Sequence, residues 1–277
     1  MHYHRLFRRS VLCAVALCCP VSAGDTGEEP SVSFSLREWS VRMLDEEMPP
    51  SEKKKFLLKL NVRETSSWKV VYCEEGKGGL TLRGTEGACS SGTEYSYAGS
   101  GKRFPGILSI SAEGWLPSPG SGWVEVQGVV PLVFSREFAE TEMVKLKTDK
   151  AELVPMVLKN AAPGGGDVKV RLRLNYVETL SKDMVIIYLL SDVRVGFPTL
   201  ELQMDGVPLR KVTSSEINRN TDFKHRWSWV FEGNEALPPE LTVSVRYAAG
   251  LKKVMVPVKM RAGLFGMAES FQTGGSE

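Results

Sequence analysis

Histidine is nearly missing from this chain: of three, His2 and His4 fall in the first four residues, which leaves His225 alone in the remainder. A single imidazole offers one position for a general base working near neutral pH and excludes a His-rich metal site. A Ser-His-Asp arrangement would have to recruit His225, and no G-x-S-x-G elbow accompanies it. Cysteine is also scarce, with five residues, of which Cys13, Cys18 and Cys19 crowd the N-terminus and only Cys73 and Cys89 follow. Two thiols are too few soft ligands for a tetrahedral zinc site. The glycine run Gly164-Gly165-Gly166 is entered through Pro163 and leads into a strand rather than a helix, so it reads as a turn and not a phosphate cradle. The polar turn Asn218 to Asp222 lacks the spacing of a calcium loop. Carboxylates are plentiful, but no pair is singled out for acid and nucleophile roles. The expectation is a protein that is not an enzyme, with no catalytic residue, no metal and no cofactor.

Long hydrophobic runs are absent too. The longest, Val11 to Cys19, is far short of the ~20 residues that cross a bilayer. It follows Arg5, Arg8 and Arg9 and precedes Val21-Ser22-Ala23, the order of a secretory signal peptide with a small-x-small cleavage site, over 1–23. This predicts an exported chain, periplasmic or extracellular, with no integral membrane segment once the signal is removed. Removal also takes three arginines and no acid, so 35 basic residues less those three stand against 33 acidic ones, one net negative charge. A near-neutral exported chain has no electrostatic reason to bind nucleic acid, and its partner is expected to be a protein or a glycan. Lys53-Lys54-Lys55 and Lys252-Lys253 read as solvated loop charge. In an oxidising compartment the remaining pair, Cys73 and Cys89, predicts one disulfide, closing a loop of about fifteen residues and contributing roughly 3 kcal/mol.

What the chain has in abundance is alternation. Leu241, Val243, Val245 and Tyr247 fall on one face and Thr242, Ser244 and Arg246 on the other, the period of a half-buried strand. After Ala248, Ala249 and Gly250 turn the chain, Val254, Val256, Val258 and Met260 repeat the pattern, so Leu241 to Met260 predicts a hairpin. Pro257 cannot donate to a ladder, which points to an edge strand or a bulged one. The same period recurs through Val32 to Leu36, Phe56 to Val62, Trp68 to Tyr72, Ile107 to Ile110, Trp123 to Phe134, Val168 to Tyr176, Met184 to Leu190 and Leu200 to Met204. Only Ser135 to Glu142 and Glu152 to Asn160 suit a turn of helix.

Segments of the two halves match in order. Leu58 to Thr65 (L-K-L-N-V-R-E-T) matches Leu172 to Thr179 (L-R-L-N-Y-V-E-T), and Val70 to Cys73 matches Ile186 to Leu189. Glu113-Gly114 matches Glu232-Gly233, and Val124 to Val133, with Pro131, matches Val243 to Val258, with Pro257. Ordered self-similarity predicts duplication. The expected layout is a signal peptide over 1–23, a first β-sandwich domain over 24–140, a second over 141–266 and a flexible tail over 267–277. About seven short strands in each unit resemble, in architecture, tandem immunoglobulin-like or fibronectin-like antiparallel sandwiches, without the antibody pattern of two core cysteines around a tryptophan.

The aromatic stripe around His225, namely Phe223, Trp227, Trp229 and Phe231, matches Leu108, Ile110 and Ala112 in the first half, which marks it as core. Trp115 and Trp123 bracket the loop L-P-S-P-G-S-G and are the candidate ligand-binding residues. The expected function is surface interaction in the cell envelope or outside the cell. One alternative is a glycan-binding module using Trp115 and Trp123. The other is a periplasmic chaperone-like protein offering a strand edge, against which Pro131 and Pro257 count as edge-blunting residues.

Overall fold

The computed structural model describes residues 29–43, 54–74, 76–77, 79–87, 89–90, 92–99, 105–118, 120–149, 152–178, 183–204, 206–218, 223–233 and 238–264. The expected signal peptide, the tail and the turn residues 219–222 lie outside them. Every regular element among the described residues is a strand, and neither stretch suited to a helical turn forms one.

The chain divides into two compact units, one comprising residues up to Phe134 together with those from Lys253 onward, the other Ser135–Lys252. The first unit holds β1 (Val32–Met43), β2 (Lys54–Glu64), β3 (Lys69–Cys73), β4 (Gly76–Lys77), β5 (Leu80–Gly84), β6 (Thr93–Ala98), β7 (Gly106–Glu113), β8 (Trp123–Ser135) and, after a long excursion, β19 (Lys252–Gly263). One sheet has the order β1-β2-β7-β6-β4, and the other has β8 between β19 and β3, with β5 also on β8. Inward residues of both sheets share one core: Phe56, Leu58, Leu60, Leu108 and Ile110 from the first, Leu82, Val126, Leu132, Phe134 and Val258 from the second. This is a sandwich-like packing of antiparallel sheets. On β1 the register slips between Leu36 and Glu38, and the extra residue resets the alternation. Trp39, not Glu38, then packs on the core, stacked 6.3 Å from Phe56.

The second unit contains β9 (Glu137–Glu140), β10 (Val144–Lys147), β11 (Leu153–Leu158), β12 (Val168–Glu178), β13 (Asp183–Ser191), β14 (Thr199–Met204), β15 (Val207–Pro208), β16 (Lys211–Asn218), β17 (His225–Gly233) and β18 (Glu240–Ala249). One sheet runs β11-β12-β13-β17-β16, and the other is built on β18, flanked by β14 on one side and by β9 and β10 on the other. Leu172, Ile187, Leu189, Trp229 and Phe231 from the first meet Leu202, Leu241, Val243 and Val245 from the second in a separate core.

The expected hairpin from Leu241 to Met260 is therefore not a pairing of its own two arms. Gly250 turns the chain at φ +60°, a left-handed conformation that glycine adopts at no steric cost, but the arms then part. Leu241, Val243, Val245 and Tyr247 fill the second core, whereas Val256, Val258, Met260 and Ala262 fill the first. Leu264 N–H donates to the Gly122 carbonyl at 2.9 Å and Arg261 reaches Glu125 at 3.8 Å. Numbers that rise along β19 fall along β8, so the two run antiparallel.

This moves residues 253–264 out of the second domain, where the boundaries 24–140 and 141–266 had put them, and moves 135–140 into it. The place beside β8 that its successor in sequence would occupy is filled by β19, and β9 and β10 pair with β18 instead. Each unit thus completes its second sheet with the strand that follows the other's central strand. At the crossing, the buried Ser135 hydroxyl donates to the Ala249 carbonyl at 2.6 Å and accepts from Glu137 N–H at 3.0 Å. Outgoing and returning chain are held side by side.

Two further expectations change. Pro257 does lie on an edge strand, as β19 ends its sheet order, but Pro131 lies in the central β8. Its missing N–H is tolerated just beyond a local break at Gly128, where Val129 N–H donates to the Gly79 carbonyl at 3.1 Å, and its own carbonyl accepts from Glu74 N–H. The match of Val70–Cys73 to Ile186–Leu189 also fails in space. β3 joins the β8 sheet, while β13 pairs directly with β12.

Candidate functional site

The candidate residues from the sequence are not brought together. Trp115 packs on the first core with its ring edge-on to Phe56 at 5.5 Å, and its indole N–H is buried with no partner among the described residues. Trp123 opens β8 and carries the Arg261 guanidinium 4.0 Å over its ring, with Arg261 also near Glu125. One face of Trp123 is thus taken by a cation, and Trp115 is committed to packing; neither is an open platform for a sugar ring. His225 stacks on Trp227 at 5.9 Å, and Trp227, Trp229 and Phe231 are buried core residues. Phe223 leaves the stripe and stands half-buried beside Arg171.

The expected disulfide is not formed. Cys73 is buried and Cys89 exposed, with no bridge between them. Register explains why. Glu74, next to Cys73, bonds β8 at Pro131, whereas Cys89 bridges to Arg83, which lies opposite Glu125 on the same strand. That interval on β8 corresponds to about 20 Å, against the ~7 Å between Cα atoms that a disulfide tolerates. Cys89 instead sits with Arg83, Glu125 and Gln127 around a depression of ≈ 360 Å³. Hydrogen bonding to the Cys89 sulfur holds the Arg83 guanidinium pKa above its ordinary value. Iodoacetamide without reductant is expected to modify only Cys89 in the native protein and both cysteines after denaturation; two thiols still blocked in denaturant would restore the bridge.

The arrangement with chemical potential lies elsewhere. On the outward face of the β11-β12-β13-β17-β16 sheet, Arg171 and Arg226 both stand opposite Leu190, on either side of it. Arg173 stands opposite Tyr188 on β13 and Leu153 on β11. Leu153, Arg173, Asn175, Tyr188, Leu190, Phe223 and Arg226 surround a depression of ≈ 180 Å³, with Leu190 buried at 6% exposure although it points away from the core.

Two of the guanidiniums are ordered by aromatic rings. Arg226 lies 5.3 Å over Tyr188 and Arg171 lies 5.4 Å over Phe223. Such stacking fixes a long side chain while leaving its in-plane N–H groups free to donate. Arg226 Nε is buried with no hydrogen-bond partner among the described residues. Among those residues, no carboxylate pairs with Arg171, Arg173 or Arg226. Glu232, further along β17 on the same face, is 3.9 Å from Arg210 instead.

Strand geometry puts the Cα atoms of the three arginines within about 12 Å of one another. Arginine cannot shed its proton, so this face carries three fixed positive charges, an arrangement that costs stability in the free protein. Its natural complement is a planar anion, which guanidinium binds through paired hydrogen bonds. The sequence signal is the outward set Lys169, Arg171, Arg173 and Asn175 on β12, which alternates with the apolar residues of that strand; its distinguishing feature, the lack of facing acids on the neighbouring strands, needs the register.

Among the described residues, no group of three or more His, Cys, Asp or Glu side chains could hold a metal ion. No helix among them is long and apolar enough to cross a membrane. The chain matches no family model, no curated protein and no solved structure.

Proposed function

We propose that this is an exported, non-catalytic pair of immunoglobulin-like sandwich domains that acts by surface contact, and that the outward face of the β11-β12-β13-β17-β16 sheet is its contact surface. The observation that carries the reading is the trio Arg171, Arg173 and Arg226 on one sheet face, the last two beside Tyr188 and the first over Phe223, without a paired carboxylate among the described residues. Arginine and tyrosine are the residues that dominate the energetics of protein contacts, and uncompensated charge on a free surface is a cost that a bound partner relieves. The Trp115 and Trp123 glycan module is less supported, because packing against Phe56 and stacking by Arg261 occupy those rings.

Photo-crosslinking in the native host tests the proposal. A benzoyl-phenylalanine placed at Val157 or Val230 on this face is expected to yield a discrete adduct, and one placed at Thr81 in the first unit is expected to yield none. Equal adducts from all three positions, or adducts from Thr81 alone, would contradict it. A polysaccharide hydrolase activity of the purified chain that one carboxylate substitution abolishes would overturn the non-catalytic part.

A further inference from the structure

We infer that the depression among Arg173, Arg226 and Tyr188, flanked by Arg171, receives a carboxylate side chain from an extended acidic segment of a partner protein. The inference rests on the surface-contact reading above and names the chemistry of the occupant.

Charge supplies the first argument. Two guanidiniums, those of Arg173 and Arg226, line one depression and Arg171 flanks it over Phe223, with no carboxylate of the described residues paired to any of them, and the buried Arg226 Nε has no acceptor there. A buried donor without an acceptor costs free energy that a carboxylate oxygen recovers, and charge-assisted bonds of this kind are the strong ones. Order supplies the second. Tyr188 and Phe223 each carry a guanidinium over the ring, so the aromatics serve to pre-position cations. A glycan site would present ring faces to the ligand; here pre-positioned arginines lose little freedom when an anion arrives.

The rim gives the third argument and separates a peptide from an acidic sugar. β11, at the sheet edge, turns Leu153, Pro155 and Val157 outward beside the arginines, with Leu153 40% and Val157 49% exposed. Apolar side chains next to a cationic depression fit a segment in which carboxylate and apolar residues alternate. Pro155 has no N–H to offer to an added strand, so the segment lies across the face and does not extend the sheet.

The test uses the full mature chain and three fluorescent probes: a short peptide of alternating Glu and Val, its Gln–Val counterpart, and an oligogalacturonate. The acidic peptide is expected to bind with Kd of about 10⁻⁵ to 10⁻⁴ M, and the Gln–Val peptide at least about tenfold more weakly. Arg173→Gln and Arg226→Gln should each weaken the acidic peptide about tenfold, given the usual range for lost charge-assisted bonds. Arg210→Gln, away from the depression, should leave it unchanged. Leu153→Ser with Val157→Ser should weaken the peptide without affecting the uronate. Thermal unfolding of each variant separates lost binding from lost fold, and Arg226→Lys, which keeps the charge but not the stacked fork, should recover only part of the affinity.

Tight, arginine-dependent binding of the uronate with none of the peptide overturns the inference while leaving the surface-contact reading standing. An acidic peptide that fails to saturate by about 1 mM, or that binds alike to wild type and the arginine variants, overturns the inference itself. The crosslinking experiment judges the broader reading independently.

Discussion

Deleting residues 252–277 is expected to unfold the first unit and to leave the second folded. The deletion removes β19 and with it Val256, Val258, Met260 and Ala262 from a core to which they belong although more than a hundred residues separate them from β8 in sequence. Burying one such apolar side chain contributes about 1.5–3 kcal/mol for Val or Met, so the four together approach the ~5–15 kcal/mol by which a domain is stable. The loss also bares an edge of β8, the strand on which that sheet is built. By contrast, the excised segment 135–251 keeps every strand of its two sheets. Calorimetry of the truncated chain should show the second unit's transition alone, and adding a peptide spanning 252–264 should restore the first. A truncated chain that retains both transitions would contradict the assignment of β19.

The second large effect is expected at Gly128. It lies in β8 opposite Leu80 with φ +149°, and a Cβ there would meet the Gly79 carbonyl oxygen at 2.1 Å and Leu80 Cα at 3.0 Å. Both obstacles are backbone, so neither can swing aside as a side-chain tip would. The strand would have to shift where Val129 N–H is bonded to Gly79. Gly128→Ala is therefore expected to destabilise the first unit by about 3 kcal/mol, at the upper end for local strain and overpacking, which lowers its melting temperature by roughly 10 °C. The second unit's transition should not move. Gly87→Ala is the useful comparison: its φ of +79° also strains an alanine, but nothing lies within 4 Å of its Cβ position, so its cost should be the smaller.

Much of the fold was legible because alternation reports burial locally. Period alone turns Leu58, Leu60, Leu172, Val243 and Val245 inward, and each is in a core. Analogy with Leu108 and Ile110 marks the stripe of Trp227, Trp229 and Phe231 as core, and burial agrees. Alternation says which way a side chain points but not which strand lies alongside. Period alone therefore joins the arms of Leu241 to Met260 as a hairpin, equates Val70–Cys73 with Ile186–Leu189 and places Pro131 at an edge.

The site was less legible for the same reason. Arg171, Arg173 and Arg226 sit on two strands that β13 separates, more than fifty positions apart at their widest, and only pairing puts them around Leu190. Trp115 and Trp123 attracted attention because aromatics beside a Pro/Gly loop are often exposed. The side chains that occupy them, Phe56 and Arg261, come from distant segments. The cysteine pair misled through loop length, which says how a bridge would act but not whether β3 and β5 bring its ends within reach.

The exchange of strands between the two units is the centre of this account, and a pair of engineered crosslinks tests it most directly. In a background with Cys73→Ala and Cys89→Ser, Glu125→Cys with Arg261→Cys links β8 to β19, whereas Ser244→Cys with Met255→Cys links the arms of a hairpin across Gly250. Oxidation should close the first pair rapidly and leave the second open, with mass spectrometry of the digests as the readout. Closure of the second pair and not the first would mean that Leu241 to Met260 is a self-contained hairpin and that β19 belongs to the second unit.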